Sequence, residues 1–262
     1  MRTRANSPFW RRCIRAGALR LFHAVENNDD ARFCRNGEAW LLRELAATWA
    51  RESAQPVVFD VGANVGDYTQ RVLAETARAG VRITVHAVEP SVRCIDELTR
   101  RFRGRAEVHV HRAAVGDCAR TMRLHATSSG SSLASLIARP GADDNAGEDV
   151  AVITLESLLN GAGVFRVDLL KLDVEGFELS ALRGLGEWLD PGRVSVIQFE
   201  YGGTTLDARA SLREIDGLLR IRGYQLAKLF PRALELRQYA PWMDHFCYAN
   251  FIALPATPGG KP

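Results

Sequence analysis

The sequence predicts an α/β protein: a mostly parallel sheet with helices on both faces. Three observations carry this. From Pro56 onward, short apolar runs alternate with stretches of 3–4 spacing, the pattern of strand–helix–strand units. The run "VVFDVGANVGDYTQ", Val57 to Gln70, passes from apolar residues through Asp60 into a glycine-spaced turn and an amphipathic stretch. Near the end, "YQLAKLF" and "FCYANFIAL" follow one another across a turn-rich stretch with no helix between them, which predicts an antiparallel final pair.

Ahead of the alternation, residues 7–24 and 37–51 read as helices. Phe9, Trp10, Ile14, Leu19 and Phe22 lie around one loosely apolar face of the first, and Trp40, Leu41, Leu45 and Trp49 recur at 3–4 spacing in the second. We take 1–50 as a helical extension, 51–255 as the ligand-binding domain and 256–262 as a disordered tail. Strand 57–61 leads to helix 66–79, strand 82–89 to helix 91–102, and strand 106–115 follows. Strand 167–173 leads to helix 177–189, strand 194–200 to helix 207–222, and strands 224–230 and 246–254 close the chain. Residues 126–149, rich in Ser, Gly, Ala and Asp, break this rhythm. A loop of that length inside a compact domain is either a functional lid or a disordered insertion.

The 262 residues suffice for one full core, and the formal net charge of +3 gives no reason to expect a nucleic-acid partner. The charge is uneven. Arg2, Arg4, Arg11, Arg12, Arg15 and Arg20 all precede the first acid, Glu26. Two readings of residues 1–24 stay open: a basic amphipathic helix in weak contact with an anionic membrane surface, or a helix packed on its own domain with its arginines in solvent. Cys13, Cys34, Cys94, Cys118 and Cys247 are scattered, odd in number and free of any CxxC pair. That spacing predicts reduced thiols in a cytoplasmic protein rather than a disulfide framework or a zinc site.

The turn after strand 57–61 carries the first chemistry. In doubly wound sheets ligands sit beyond the C-terminal ends of the strands, where Asp60 falls. Gly62 and Gly66 let backbone approach a ligand, Asn64 tolerates the left-handed region, and the following helix opens with unpaired N–H groups. Glu89, ending the next strand, can accept both hydroxyls of a ribose. The pattern D-x-G-x-N-x-G lacks the third glycine of a dinucleotide fingerprint, and no Walker A motif is present. The set suits a nucleoside without a pyrophosphate, of which S-adenosylmethionine is one. Asp117 follows the third strand and reads either as a contact to an adenine amine or as a plain turn residue.

The second dense stretch is "VDLLKLDVEGFELSALRGL", 167–185. Asp173 ends a strand and should face the same crevice, with Lys171 two residues earlier on the same strand face and Glu175 just beyond. Glu200, ending "VIQFE", is a third strand-end carboxylate. His109 and His111 share a strand face and read as satisfied or solvated side chains, because no third metal ligand is near them in sequence.

These segments resemble the FkbM family of S-adenosylmethionine-dependent methyltransferases. The resemblance runs through "NGEAWLL", "FDVGANVGDYT", "AVEPS", "ITLESLL", "DLLKLDVEGFELSALRG" and "VIQFEY", over roughly 35–254. It implies the class I methyltransferase fold, a seven-stranded sheet with an antiparallel last strand, and O-methylation of a hydroxyl on a small molecule or glycan of polyketide or sugar type. Against it stand a nicotinamide-dependent oxidoreductase and a non-catalytic nucleoside-binding module. For an O-methyltransferase a base must take the hydroxyl proton during attack. Asp173 is the first candidate, Glu175 the second, with Lys171 beside them and His245 a weak alternative. The reading needs no metal; a divalent cation held by the carboxylate pair is the alternative.

Overall fold

The computed structural model describes residues 8–126, 134–138 and 143–257. The alternation after Pro56 is present: β1 (Val57–Val61), α3 (Asp67–Arg78), β2 (Thr84–Glu89), α4 (Val92–Arg101) and β3 (Val108–Arg112), preceded by α1 (Phe9–Glu26) and α2 (Glu38–Arg51). The later half brings α5 (Leu155–Ala162), β7 (Leu169–Leu172), α6 (Glu178–Arg183), β8 (Ile197–Tyr201), α7 (Gly203–Asp207), α8 (Leu212–Ile221), β9 (Tyr224–Phe230), β10 (Ala233–Arg237) and β11 (Ala249–Pro255). The principal sheet runs β10-β9-β11-β8-β7-β1-β2-β3. Strands β3, β2, β1, β7 and β8 are parallel to their neighbours, and β11 inserts antiparallel between β8 and β9. This is the class I methyltransferase arrangement.

The sheet has eight strands rather than the expected seven. The added one is β10, which returns from β9 through the two residues Pro231 and Arg232. Its sequence, "ALELR", is short and its burial is mixed, so it carries no clear strand alternation. The expected strand 106–115 also divides: β3 stays in the principal sheet, and β4 (Ala114–Val115) joins a second sheet of order β4-β6-β5. That second sheet takes in both ends of the expected loop 126–149, at Ala126 and from Asp143 onward. β5 (Arg120–Ala126) pairs antiparallel with β6 (Asp143–Ile153), while 127–133 and 139–142 lie outside the described residues, as does the tail from 258.

Central strands send alternate side chains to two cores, as period-two geometry requires. Phe59 and Val61 join Leu155, Leu182, Leu212 and Leu219 on one face, under α5, α6 and α8. Val58, Val85 and Leu169 join Leu42, Trp49, Val72 and Leu98 on the other, under α2, α3 and α4. The two N-terminal helices thus differ in kind. α2 packs into this second core through Leu41, Leu42, Ala46 and Trp49. α1 does not pack: every residue from Phe9 to Leu21 is exposed, which sets aside the expectation of a helix packed on its own domain. Only its last turn is anchored. Glu26 accepts from Lys228 Nζ at 3.2 Å and pairs with Arg237 at 3.2 Å, and Asn27 in the left-handed region ends the helix.

Candidate active site

A cleft of about 870 Å³ opens at the C-terminal ends of β1, β2, β7 and β8, within the size range of small-molecule sites. Its floor begins with strand register. β1 and β7 pair Asp60 with Lys171, and β7 and β8 pair Lys171 with Gln198, so three polar side chains form a row across the middle of the sheet. All three are buried and must find partners. Thr69 on α3 donates to Asp60 Oδ2 at 2.7 Å. Lys171 Nζ donates to Asp173 Oδ2 at 3.0 Å, lies 3.7 Å from Asp60 Oδ1, and sits 4.7 Å from the Tyr68 ring centre. Gln198 accepts from the Tyr68 hydroxyl at 2.8 Å and donates to Glu38 at 2.7 Å. Burial works to lower the Lys171 pKa, but the carboxylates of Asp173, Asp60 and Glu38 outweigh it and hold the ammonium charged.

The glycine turn is built differently from its sequence reading. Gly62 N–H and Ala63 N–H both donate to Val88 carbonyl, at 2.9 and 3.0 Å, and Asn64 N–H donates to Glu89 Oε2 at 2.9 Å. These three donors therefore fasten the turn to β2 instead of facing a ligand. The glycines admit protein rather than ligand. At Gly62, φ is +81° and a Cβ would lie 1.7 Å from the Asp173 carbonyl oxygen; at Gly66 a Cβ would strike Phe102 and Leu98. Asn64 takes the left-handed region, φ 48°.

Of the cofactor-binding residues read from sequence, Gly62, Asn64 and Glu89 line the cleft. Asp60 and Gly66 lie behind it in structural roles, and Asp117 points elsewhere: its carboxylate accepts from Arg120 at 2.8 Å and from Ser180 at 3.1 Å, the turn-residue reading. Glu89 is oriented by two N–H groups, from Asn64 and from Ser91 at 3.1 Å, and burial pushes its carboxyl pKa up.

The catalytic candidates Lys171, Asp173 and Glu175 all line the cleft, joined by Glu200. Carboxylate oxygens of Asp173, Glu175 and Glu200 lie within 4.8 Å of one another. Burial, then the neighbouring Asp173 and Glu175, pushes the Glu200 pKa well above the usual carboxylate range. Glu178 underpins the turn. Its Oε1 accepts from Val174 and Gly176 N–H, each at 3.2 Å, and burial pushes its pKa up to about 7. Glu175 itself sits at φ 51°, and its carbonyl accepts from Ser135 at 2.9 Å. Ser135 belongs to the short segment 134–138, whose Ala134 and Leu136 close one side of the cleft, as a lid segment would.

Sequence reasoning missed Glu38, Gln198, Tyr68, Tyr248 and Asn250, which all connect at the cleft. The one signal was "NGEAWLL", where Asn36 Nδ2 donates to Glu38 Oε2 at 2.7 Å. His245 lies away from the cleft, its ring edge-on to Phe22 and Tyr201. His109 and His111 both stack on His86; His109 is exposed to solvent, and His111 Nε2 lies 2.9 Å from His86 Nδ1.

Six carboxylates (Glu38, Asp67, Glu89, Asp173, Glu175, Glu200) and three basic side chains (Arg71, Arg93, Lys171) line the cleft. An excess of carboxylates favours a cationic ligand and disfavours a pyrophosphate.

Among solved structures, the chain is similar to precorrin-6y C5,15-methyltransferase from Geobacter metallireducens, at 12% identity, covering 82% of this chain and 87% of that one with a TM-score of 0.42. It is similar to Aeropyrum pernix fibrillarin with natively bound S-adenosyl-L-methionine (13% identity, 82% and 76% covered, TM-score 0.40). It is also similar to a SAM-dependent methyltransferase from Agrobacterium tumefaciens (11% identity, 83% and 61% covered, TM-score 0.43). No curated protein matches the chain. The family model of the methyltransferase FkbM domain matches residues 60–226, spanning the glycine turn, Glu89 and the Lys171–Glu178 stretch. The chain belongs to the FkbM methyltransferase family.

Proposed function

We propose that the protein transfers a methyl group from S-adenosylmethionine to a hydroxyl of a small molecule or glycan. The observation that carries this reading is the acid-lined cleft at the strand ends, with Glu89 on the β2 side and the Asp173–Glu175–Glu200 cluster on the β7–β8 side. When bound, S-adenosylmethionine supplies a methyl group on a positively charged sulfur. The residues present fit such a group: Glu89, held by two backbone N–H groups, retains lone pairs for ribose hydroxyls, and the surplus of carboxylates favours its positive charge. Gly62 and Asn64 line that side of the cleft.

On this reading the β7–β8 side handles the acceptor. An alkyl hydroxyl is a poor nucleophile until its proton is removed, and Asp173 takes that proton. Lys171 fixes the Asp173 carboxylate through Oδ2. Glu178 acts as a positioning residue, since it holds the N–H groups on either side of Glu175. Holding the acceptor in line supplies a further large part of the rate.

The test is release of S-adenosylhomocysteine from S-adenosylmethionine over a panel of sugar and polyketide hydroxyl acceptors. Asp173→Asn should lower kcat by roughly 10²–10⁴ while leaving cofactor affinity within a few-fold. Turnover close to wild type in that variant would remove Asp173 from the base role. Turnover should also be indifferent to EDTA; loss on chelation and recovery with Mg²⁺ would move the carboxylate cluster to a metal-binding role.

A further inference from the structure

We propose that α1 is an interfacial helix that seats the enzyme on an anionic membrane surface. The helix projects from the domain: its thirteen residues from Phe9 to Leu21 are exposed on all sides, a length of about 20 Å at 1.5 Å per residue. Trp10, Ile14, Leu21 and Val25 recur at helical spacing on one face, with Gly17 and Ala24 between them, and these four large side chains are 56%, 63%, 66% and 63% exposed. Small solvent-facing apolar residues are ordinary, but a Trp-containing stripe on an unpartnered helix marks a binding surface.

The charge pattern selects the occupant. Arg12 and Arg15 project from the side opposite the stripe, a side they share with Leu19, and Arg11 and Arg20 flank the stripe on its two edges. No acid precedes Glu26, and that carboxylate is already taken by Lys228 and Arg237. Apolar residues on one face with arginines around the other suit a helix lying in the headgroup plane, the arginine stems reaching up to lipid phosphates. A second copy packed through the stripe would leave Arg12 and Arg15 facing solvent, whereas an anionic lipid surface offers the arginines phosphates to pair with. No described helix is long and apolar enough to cross a membrane, so the helix lies on the surface rather than spanning it.

The base of α1 fixes its direction relative to the catalytic cleft. Phe22 packs edge-on against Trp242 and His245, and Lys228 Nζ holds Asn28 at 2.7 Å. Asp29 then pairs with Tyr248 through both backbone and side chain, at 2.9 and 3.1 Å. Tyr248, Ala31 and Phe33 line the cleft. A helix seated on lipid therefore holds this wall of the cleft close to the membrane, where an acceptor carried on a lipid would be presented. The membrane contact stands independently of the reaction proposed above.

The experiment is co-sedimentation of the full chain with phosphatidylcholine vesicles, with and without phosphatidylglycerol, alongside sedimentation velocity of the protein alone. The chain should sediment with the anionic vesicles at low salt. Binding should fall by about tenfold or more with zwitterionic vesicles and at high salt, because screening shortens the attraction to a few ångströms at about 1 M. Trp10→Ser with Leu21→Ser, and separately Arg11→Gln with Arg12→Gln and Arg15→Gln, should each weaken vesicle binding by about tenfold while leaving the melting temperature and S-adenosylhomocysteine affinity unchanged. Four results would overturn the proposal: no sedimentation with anionic vesicles at low salt; binding unchanged in both variants; a fall in melting temperature in the apolar variant, which would show a packed face; or a dimer, dissolved by that variant, in a protein that ignores vesicles.

Discussion

His86 shows how much a single residue can hide in a sequence. His109 and His111 share a face by simple alternation, but His86 joins them only because β2 pairs in register with β3, and it stacks on Phe59 through its register with β1. Burial, with the neighbouring histidines, holds the His86 pKa down to about 4 against an ordinary 6.5. As pH falls from the unfolded value through the folded one, the unfolded chain binds a proton that the folded chain refuses. Stability is thus present above about pH 6.5 and is lost toward pH 4, by about 3 kcal/mol for this group. Chemical denaturation of the wild type and His86→Phe should show the wild type losing that much relative to the variant over this range; a constant difference would contradict it. The same logic separates what was legible among the site residues. Glu89, Asp173 and Glu175 end strands or follow them, and Lys171 shares a strand face with Asp173; those positions alone mark them. Gln198 and Glu38 are 160 residues apart in the chain and meet only through the fold, so nothing local distinguishes them from surface polar residues.

At the scale of elements, strands β1 and β2 and helices α2 and α3 follow closely from apolar periodicity because each buries a full face. β10 and the β5–β6 pair did not, since β10 sits at an edge with little burial and β6 begins in the Asp- and Gly-containing stretch that reads as loop. The glycine turn was placed correctly, but its glycines serve a different end. The turns after β1 and β7 interlock, with the Asp173 carbonyl occupying the space where a Gly62 side chain would be. Gly62→Ala meets backbone rather than a flexible side chain, and at a φ that strains any L residue. It should cost about 3 kcal/mol or more in urea unfolding. Gly161→Ala, in α5 with nothing within 4 Å of the added methyl, is the control and should be neutral or stabilising by up to about 1 kcal/mol. A loss below about 0.5 kcal/mol for Gly62→Ala would show that the two turns are not interlocked.

At the scale of the whole molecule, one architecture gathers six carboxylates around a single cleft while the arginine-rich helix stands off the domain. The carboxylates belong to different elements: Glu38 on α2, Asp67 on α3, Glu89 on β2, Asp173 and Glu175 after β7, and Glu200 on β8. Their sum was not legible as a field until the strand order was known, although Glu89, Asp173 and Glu200 were visible singly as strand ends. On the reading proposed above, that field should favour a sulfonium nucleoside over a dinucleotide, and equilibrium binding measures it directly. Titration calorimetry of the full chain should show S-adenosylmethionine and S-adenosylhomocysteine binding at one site and NAD failing to compete. Glu89→Ala should lose about 1.5–3 kcal/mol of that affinity, the worth of hydrogen bonds to a charged acceptor. Binding of NAD in place of either sulfur nucleoside, or full affinity in a folded Glu89→Ala protein, would contradict the account.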